Sequence, residues 1–178
     1  MMARQHFTVT QRVLHWAMAV AILAMLFIGV GMVSTITPTY LRLVSIHRPL
    51  GILILLLAIL RIGVRLSRGT PPLPADLPAP MKQAATLSHI ALYALMIAMP
   101  LLGWAMLSAA AYPVTIWRGF VLPPIVPQSD RLHAVLWGLH SYLAFAFFAL
   151  ILIHLSAGLF HALIRRDGVF ESMAAGRD

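Results

Sequence analysis

One residue type in this sequence is present in quantity and suited to metal or proton chemistry, and that is histidine. The eight histidines stand at positions 6, 15, 47, 89, 133, 140, 154 and 161. The chain has no cysteine, which excludes disulfides, iron–sulfur clusters and thiolate ligands. Imidazole is therefore the side chain from which a transition-metal site would have to be built.

The stretch from His140 to His154 places a histidine at each end of a run rich in Ala, Phe, Leu and Ile. His133, His140, His154 and His161 are separated by multiples of seven residues. Seven residues at about 100° each return to within ~20° of the starting direction, so all four share one helix face. At about 1.5 Å per residue, His140 and His154 lie ~21 Å apart along the axis. The pattern predicts two separate sites.

Depth in a membrane divides these four histidines into two classes. If the helix is centred near Phe147, His140 and His154 lie ~10 Å from the midplane of a hydrocarbon core ~30 Å thick. A buried imidazole at that depth needs a partner. His133 and His161 lie ~21 Å from the centre, where headgroups and water can satisfy them. We expect these two to be interfacial anchors.

Composition indicates that the elements carrying the histidines are transmembrane helices. The chain has 178 residues, of which 61% are hydrophobic and 10% charged, and its mean hydropathy is +0.89. Four apolar segments reach the about 20 residues needed to cross a bilayer. They comprise residues 13–33, 46–66, 86–111 and 132–164. The sequence therefore predicts an all-α membrane protein, a four-transmembrane-helix bundle formed by a single domain over residues 1–178.

The connections between these segments differ in character. Residues 67–82, SRGTPPLPADLPAPMK, are rich in prolines that disfavour helix and predict an extended surface linker. Residues 111–130 combine aromatic residues with prolines, which indicates a segment lying along the membrane interface and capping one end of the bundle. Pro100 is expected to kink the third helix.

The basic residues predict an orientation in the membrane. The formal net charge is +8, but Lys and Arg are scattered at segment ends, so nucleic acid is not an expected partner. With the N-terminus inside, nine basic residues lie on the cytoplasmic side: Arg4, Arg12, Arg61, Arg65, Arg68, Lys82, Arg165, Arg166 and Arg177. Four lie on the other side: Arg42, Arg48, Arg118 and Arg131. The positive-inside rule therefore places both termini in the cytoplasm.

The acidic residues argue against an ion-coupled transporter. All five fall in predicted loops or tails: Asp76, Asp130, Asp167, Glu171 and Asp178. A pump or a carboxylate relay would need an acid inside the membrane.

The alternating topology matches histidines on different helices by level. His15 lies at the level of His154, and His47 lies at the level of His140. Two pairs at two depths suit two stacked b-type haems, because a low-spin haem takes one imidazole on each side of its iron. His89 lies at roughly the level of His15, so spacing alone leaves a His89–His154 pair open.

Two further interpretations of these histidines compete with haem ligation. Intramembrane histidines can serve only as hydrogen-bonding groups between helices. A zinc or copper site would require ligands that converge, four of them for tetrahedral zinc, whereas these histidines separate into two pairs. Four histidines matching in level favour haem over either interpretation.

Four stretches of the sequence resemble the prokaryotic cytochrome b561 family. They are QRVLHWAMA, SIHRPLGILILLLAILRIGVRL, LSHIALYALMIAMPLLGWAM and LHSYLAFAFFALILIHLSAGLFHALIRRDGVF. The resemblance covers essentially the whole chain and implies a bundle that binds two haems b. It implies His15 and His154 as ligands of the cytoplasmic-side iron, and His47 and His140 as ligands of the periplasmic-side iron.

The resemblance implies electron transfer in the lipid of the bacterial inner membrane, from superoxide or a redox protein donor to a quinone such as ubiquinone. Bis-histidine ligation leaves no open iron position, so substrates would exchange electrons at haem edges, and no catalytic residue is identified. The outer arginines would steer the superoxide anion.

The alternative function is a cytochrome b carrier or anchor subunit, which passes electrons between a periplasmic dehydrogenase or hydrogenase and quinone. A histidine-lined metal transporter is a third possibility, which a colourless purified protein would favour.

Overall fold

The structure, a computed structural model, describes residues 6–116 and 119–174. Four long helices dominate this part of the chain, together with a short helix, a π-helical turn and two short strands. The helices are α1 (Val9–Val33), α2 (Pro38–Arg68), α3 (Ala79–Ala109), α4 (Asp130–Phe160) and α5 (Val169–Ala174). The π-helical turn is His161–Arg165, and the strands are β1 (Val114–Thr115) and β2 (Val121–Leu122).

Local sequence signals set the ends of the first two helices. Thr8 and Gln11 form a capping box at the start of α1, in which each side chain accepts a backbone N–H of the other residue. Pro38 occupies the first turn of α2, where its missing N–H costs no hydrogen bond. The same helix ends at Gly69, whose φ of 70° favours glycine.

The prediction of four transmembrane segments is confirmed, because the four long helices are all long and apolar enough to cross a membrane. Three begin well before the predicted residues 13, 46 and 86, since the apolar run marks only the part of a helix that lipid covers. The predicted linker over 67–82 was too long, and its non-helical part is 69–78. Pro80 lies in the first turn of α3, where proline is tolerated.

The ends of α3 and α4 also differ from the prediction. The third helix ends at Ala109 rather than 111, and it contains Pro100 within one continuous helix, while the kink stays a prediction. The fourth α-helix ends at Phe160 rather than 164. It continues as the π-helical turn, in which the Arg166 N–H donates to the His161 carbonyl at 2.7 Å.

Helices that follow one another in the chain pack together. Within the described residues, α4 packs extensively on α3, and α1 on α2, whereas the backbone of α4 does not approach α1 or α2 extensively. The buried core takes residues from all four helices: Met18, Ile22, Ile54, Ala58, Met96 and Phe147. Large apolar side chains point outward as well, such as Phe27 at 74% exposure, and lipid would cover them.

The two ends of the bundle have different contents. At the terminal end, where α1 begins, the Phe7 N–H donates to the Ser172 carbonyl at 3.2 Å. Both ends of the described chain therefore lie on one side of the bundle. At the opposite end, the cap end, strands β1 and β2 pair antiparallel within the segment between α3 and α4. The Arg48 guanidinium donates to the Pro113 carbonyl at 3.2 Å, which ties this segment to α2.

Candidate functional site

Three helices bring imidazoles together at the terminal end of the bundle. The ring centres of His15 on α1 and His154 on α4 lie 6.3 Å apart, with their planes at 61°. His89 on α3 lies 5.4 Å from His154, at 74°. All three rings are half-buried. The structure thus brings both of the expected partners of His154 into its neighbourhood, His15 and the alternative His89.

A second pair of imidazoles lies toward the cap end. The ring centres of His47 on α2 and His140 on α4 are 6.2 Å apart, with their planes at 65°. The Nδ1 atoms of both rings are buried and have no hydrogen-bond partner among the described residues. The Met99 carbonyl lies beside His140 but outside hydrogen-bonding geometry. Buried nitrogens left without a partner are costly, which indicates that this pair has a ligand to bind.

Gly103 on α3 gives His140 its position. A Cβ on this glycine would lie 3.4 Å from the His140 Cε1 and 3.7 Å from its Nδ1. A larger side chain at this position would displace the ring. The missing side chain therefore serves the geometry of the pair rather than backbone conformation.

The separation of the rings fits an iron held between them. With a metal–nitrogen bond of about 2 Å on each side, and about 1 Å from nitrogen to ring centre, two axial imidazoles have centres roughly 6 Å apart. The His15–His154 and His47–His140 separations of 6.3 and 6.2 Å match this value. Both pairs span the places where α4 stands apart from α1 and α2. The donor set and the spacing therefore fit haem b.

The described residues do not form a convergent metal site. Among them, no group of three or more His, Cys, Asp or Glu side chains is arranged to hold a metal ion.

Comparison with known proteins identifies the family. The sequence matches the family model described as prokaryotic cytochrome b561 over residues 6–176. The chain belongs to the prokaryotic cytochrome b561 family. It is therefore a membrane electron-transfer protein of a family that binds haem b.

Two cytochrome b561 relatives from Escherichia coli (strain K12) match nearly the full chain. Cytochrome b561 homolog 1 is 30% identical over 181 aligned residues, which cover 96% of this chain and 98% of the relative. Cytochrome b561 homolog 2 is 27% identical over 172 residues, covering 95% and 91% respectively. The similarity extends over all four helices, so the cytochrome b561 scaffold is shared as a whole.

The two remaining histidines of the α4 face have protein partners rather than the water expected for them. The His133 Nδ1 donates to the Met106 carbonyl of α3 at 2.9 Å. The His161 Nδ1 lies 2.8 Å from the Asp167 carboxylate. Helix packing and the turn after α4 supply these partners, which spacing along one helix does not reveal. Neither ring is paired with a second imidazole.

Arg61 is a residue of the site that the sequence indicates only as a charge on one side of the membrane. Its Nη2 lies 2.8 Å from the Nδ1 of His15. Since a guanidinium has no acceptor, Arg61 is the donor. The signal that could have indicated this residue is the pair Arg61 and Arg65, one turn apart inside an apolar stretch of α2.

A cleft opens at the cap end of this cytochrome b561 scaffold. Its volume is about 360 Å³. The lining is mainly apolar, from the segment that joins α3 to α4, with polar groups from Ser108, Tyr112 and Gln128. The segment predicted to cap one end of the bundle therefore forms a concave surface there. Trp117 and Arg118, which lie in this segment, fall outside the described residues.

Proposed function

We propose that this protein is a di-haem b oxidoreductase of the inner membrane that oxidises superoxide at the cap end and reduces membrane quinone. The proposed ligands are His15 and His154 for the iron at the terminal end, and His47 and His140 for the iron at the cap end. The observation that carries the proposal is the presence of two imidazole pairs, 6.3 and 6.2 Å apart, at two levels of one bundle.

Bound haem b would supply a one-electron Fe(III)/Fe(II) couple. The two histidines of each pair would both ligate the haem iron, which would leave no open position on it for a substrate. The protein's contribution is then to hold the two sites at a fixed separation. Continuous helix from His140 to His154 sets this at ~21 Å along α4.

The proposed orientation places the terminal end in the cytoplasm. Among the described residues, seven Lys and Arg residues belong to that end and three to the cap end, which favours this orientation under the positive-inside rule. In the described part of the cap end, Arg42, Arg48 and Arg131 stand against a single acid, Asp130. This excess of positive charge supports attraction of an anionic substrate to the outer surface.

The overall reaction is balanced by superoxide as reductant and quinone as oxidant. Two superoxide anions each lose one electron and become O₂. One quinone takes up these two electrons and two protons from water and becomes quinol. The residues of the bundle would only bind the redox centres and hold them apart. This role needs no acid inside the membrane, and the interior of the four long helices of the described chain contains no Asp or Glu.

A visible spectrum and a haem-to-protein ratio of the purified chain test this proposal. We expect a b-type spectrum with two haems per chain, reduction of both haems by an enzymatic superoxide source, and accumulation of quinol when quinone is added. Superoxide dismutase in a parallel sample should abolish the reduction. If dithionite reduces both haems but superoxide does not, the proposal that superoxide is the electron donor would be contradicted.

The same experiment separates the carrier-subunit function from the proposed one. The carrier function would be indicated if superoxide does not reduce the haems and the chain co-purifies stoichiometrically with a periplasmic dehydrogenase or hydrogenase. A chain that binds no haem would contradict both functions together with the ligand set.

A further inference from the structure

Two arginines of α2 face one aromatic ring of α3. The guanidinium carbons of Arg61 and Arg65 each lie 5.6 Å from the centre of the Tyr93 ring. The two residues are one turn apart and both are half-buried. Tyr93 therefore supports two cations at once through cation–π contacts.

These two positive charges have no carboxylate partner in the part of the chain that the structure describes. The ion pairs found there involve only His161, Arg165, Asp76 and Asp167. Among the described residues, and apart from contacts with Tyr93, the hydrogen bond from Arg61 to His15 is the only one that either guanidinium makes. Like charges at this spacing repel each other, and each guanidinium offers five N–H donors. The arrangement is that of a site for an anion.

The location of the arginines indicates which anion. Arg61 is hydrogen-bonded to His15 and lies within electrostatic range of His89 and His154. The arginine pair thus borders the imidazoles of the terminal end. Haem b carries two propionate carboxylates, and guanidinium groups bind carboxylates through two parallel hydrogen bonds. Two arginines and two carboxylates match in number and in charge.

We propose that Arg61 and Arg65 form an oxyanion clamp, supported by Tyr93, that binds the haem propionates at the terminal end. The inference rests on the proposed haem ligands of that end. The oxyanion chemistry is shared by the phosphate of an anionic lipid, which is the competing occupant at a membrane-facing site.

The test is a titration of haem-free full-length chain, produced in haem-deficient cells, with haem b and with its dimethyl ester. The ester lacks both carboxylates but keeps the iron and the ring. The titration uses the His140→Ala variant, which confines binding to the terminal end. We expect this chain to bind haem b about tenfold or more tightly than the ester, because charge-assisted hydrogen bonds are among the strongest.

The Arg61→Gln/Arg65→Gln change in the same chain should remove this preference. In this variant, affinity for haem b should equal affinity for the ester. Arg65→Gln alone, which keeps Arg61, should remove part of the preference and guards against misfolding of the double variant. Arg68→Gln is the matched control, since Arg68 is exposed on the last turn of the same helix.

Three results would overturn the clamp. Equal weakening of haem b and ester would indicate a structural role for the arginines. An unchanged preference in both arginine variants would exclude propionate binding. Loss of bound anionic phospholipid, measured by phosphorus analysis, with the preference intact would assign the site to lipid. Failure of the proposed terminal-end ligands is distinguished from these results, because in that case the His140→Ala chain binds neither compound. Failure of the superoxide reaction alone would leave both titrations unchanged.

Discussion

At the residue scale, the two imidazole pairs are held in different ways. His15 accepts a hydrogen bond from Arg61, while His47 and His140 have buried Nδ1 atoms without a partner in the described chain. The His140 ring lies against Gly103, where a larger side chain would displace it. The pairs are alike in spacing but differ in their hydrogen bonds, since among the described residues a guanidinium donates to a ring of the first pair and not to the second.

His140→Ala and His154→Ala should each remove one haem, because each would take an axial ligand from a different iron. His133→Ala should leave both haems, since its ring is bonded to the Met106 carbonyl. A pyridine haemochrome assay on purified variants gives the haem-to-protein ratio. Loss of a haem from the His133 variant, with none lost from the His140 variant, would reverse the assignment.

His15→Ala and His89→Ala test which residue pairs with His154. The His15–His154 separation of 6.3 Å fits an intervening iron, whereas the 5.4 Å between His89 and His154 is short for it. We expect the His15 variant to lose the terminal-end haem and the His89 variant to keep both. Electron paramagnetic resonance of the oxidised variants would report the change in ligation. The opposite result would make His89 the ligand.

Gly103→Leu should lower the occupancy of the cap-end haem, because the added side chain would displace His140. Gly103→Ala should be nearly neutral, since its Cβ would meet the ring at 3.4 Å. Gly63→Leu is the control, as a Cβ there would meet nothing within 4 Å. Haem content and redox titration of the three variants distinguish the outcomes. Normal haem content in Gly103→Leu would refute the role of this glycine.

At the element scale, the turn after α4 is fixed by a network of charges. Asp167 lies 2.8 Å from His161 and 2.9 Å from Arg165, and its side chain is 11% exposed. Arg165 also reaches Asp76 of the loop between α2 and α3 at 2.6 Å. The network thus connects the C-terminal segment to a neighbouring loop at the terminal end.

Asp167→Asn should lower the stability of the chain at neutral pH by about 1–3 kcal/mol, the cost of breaking hydrogen bonds to a charged group. Burial alone would raise the pKa of Asp167, but hydrogen bonds from His161 and Arg165 outweigh it, so the pKa lies below its ordinary value of 3.8. A carboxyl with a depressed folded pKa adds stability above its unfolded pKa, and this stability is lost as pH falls through the folded pKa.

Thermal unfolding in detergent, followed by circular dichroism from pH 7 downward, measures this effect. The stability of the unchanged chain should fall further as the pH drops below the ordinary carboxyl pKa. This part of the fall should be missing in the Asp167 variant. Asp76→Asn is the matched control, because the Asp76 side chain is 75% exposed and its ion pair should contribute little. Equal effects of the two variants would argue against a special role for Asp167.

At the scale of the whole molecule, orientation decides which pair of imidazoles faces which compartment. The described chain begins and ends on one side of the bundle, as the Phe7–Ser172 hydrogen bond requires. The basic residues favour the cytoplasm for that side. Three of the basic residues counted for this orientation, Arg4, Arg118 and Arg177, fall outside the described residues and contribute only through the sequence.

Reporter fusions at the C-terminus test the orientation. We expect a C-terminal green fluorescent protein to fluoresce and a C-terminal alkaline phosphatase to be inactive, because the first matures in the cytoplasm and the second in the periplasm. Fusions placed after residue 112, at the cap end, should give the reverse pattern. Phosphatase activity at the C-terminus would invert the proposed sides of both haems.

The sequence by itself determined the spans and the levels of the histidines. Apolar length specifies a membrane helix, because only backbone hydrogen-bonded within its own segment is stable in lipid. Rise per residue then places each histidine along its helix, so His15 and His154 can be matched, as can His47 and His140. The helix ends were less well predicted, since a helix such as α2 continues beyond its apolar run.

Only the tertiary structure decided what lies beside each imidazole. Height along a helix says nothing of rotation about its axis or of which helices are neighbours, and these follow from side-chain packing over the whole bundle. For this reason spacing alone could not choose between His15 and His89, and it gave no sign of the Arg61–His15 hydrogen bond. The levels are set by local geometry, whereas the neighbours are set by contacts between residues far apart in the chain.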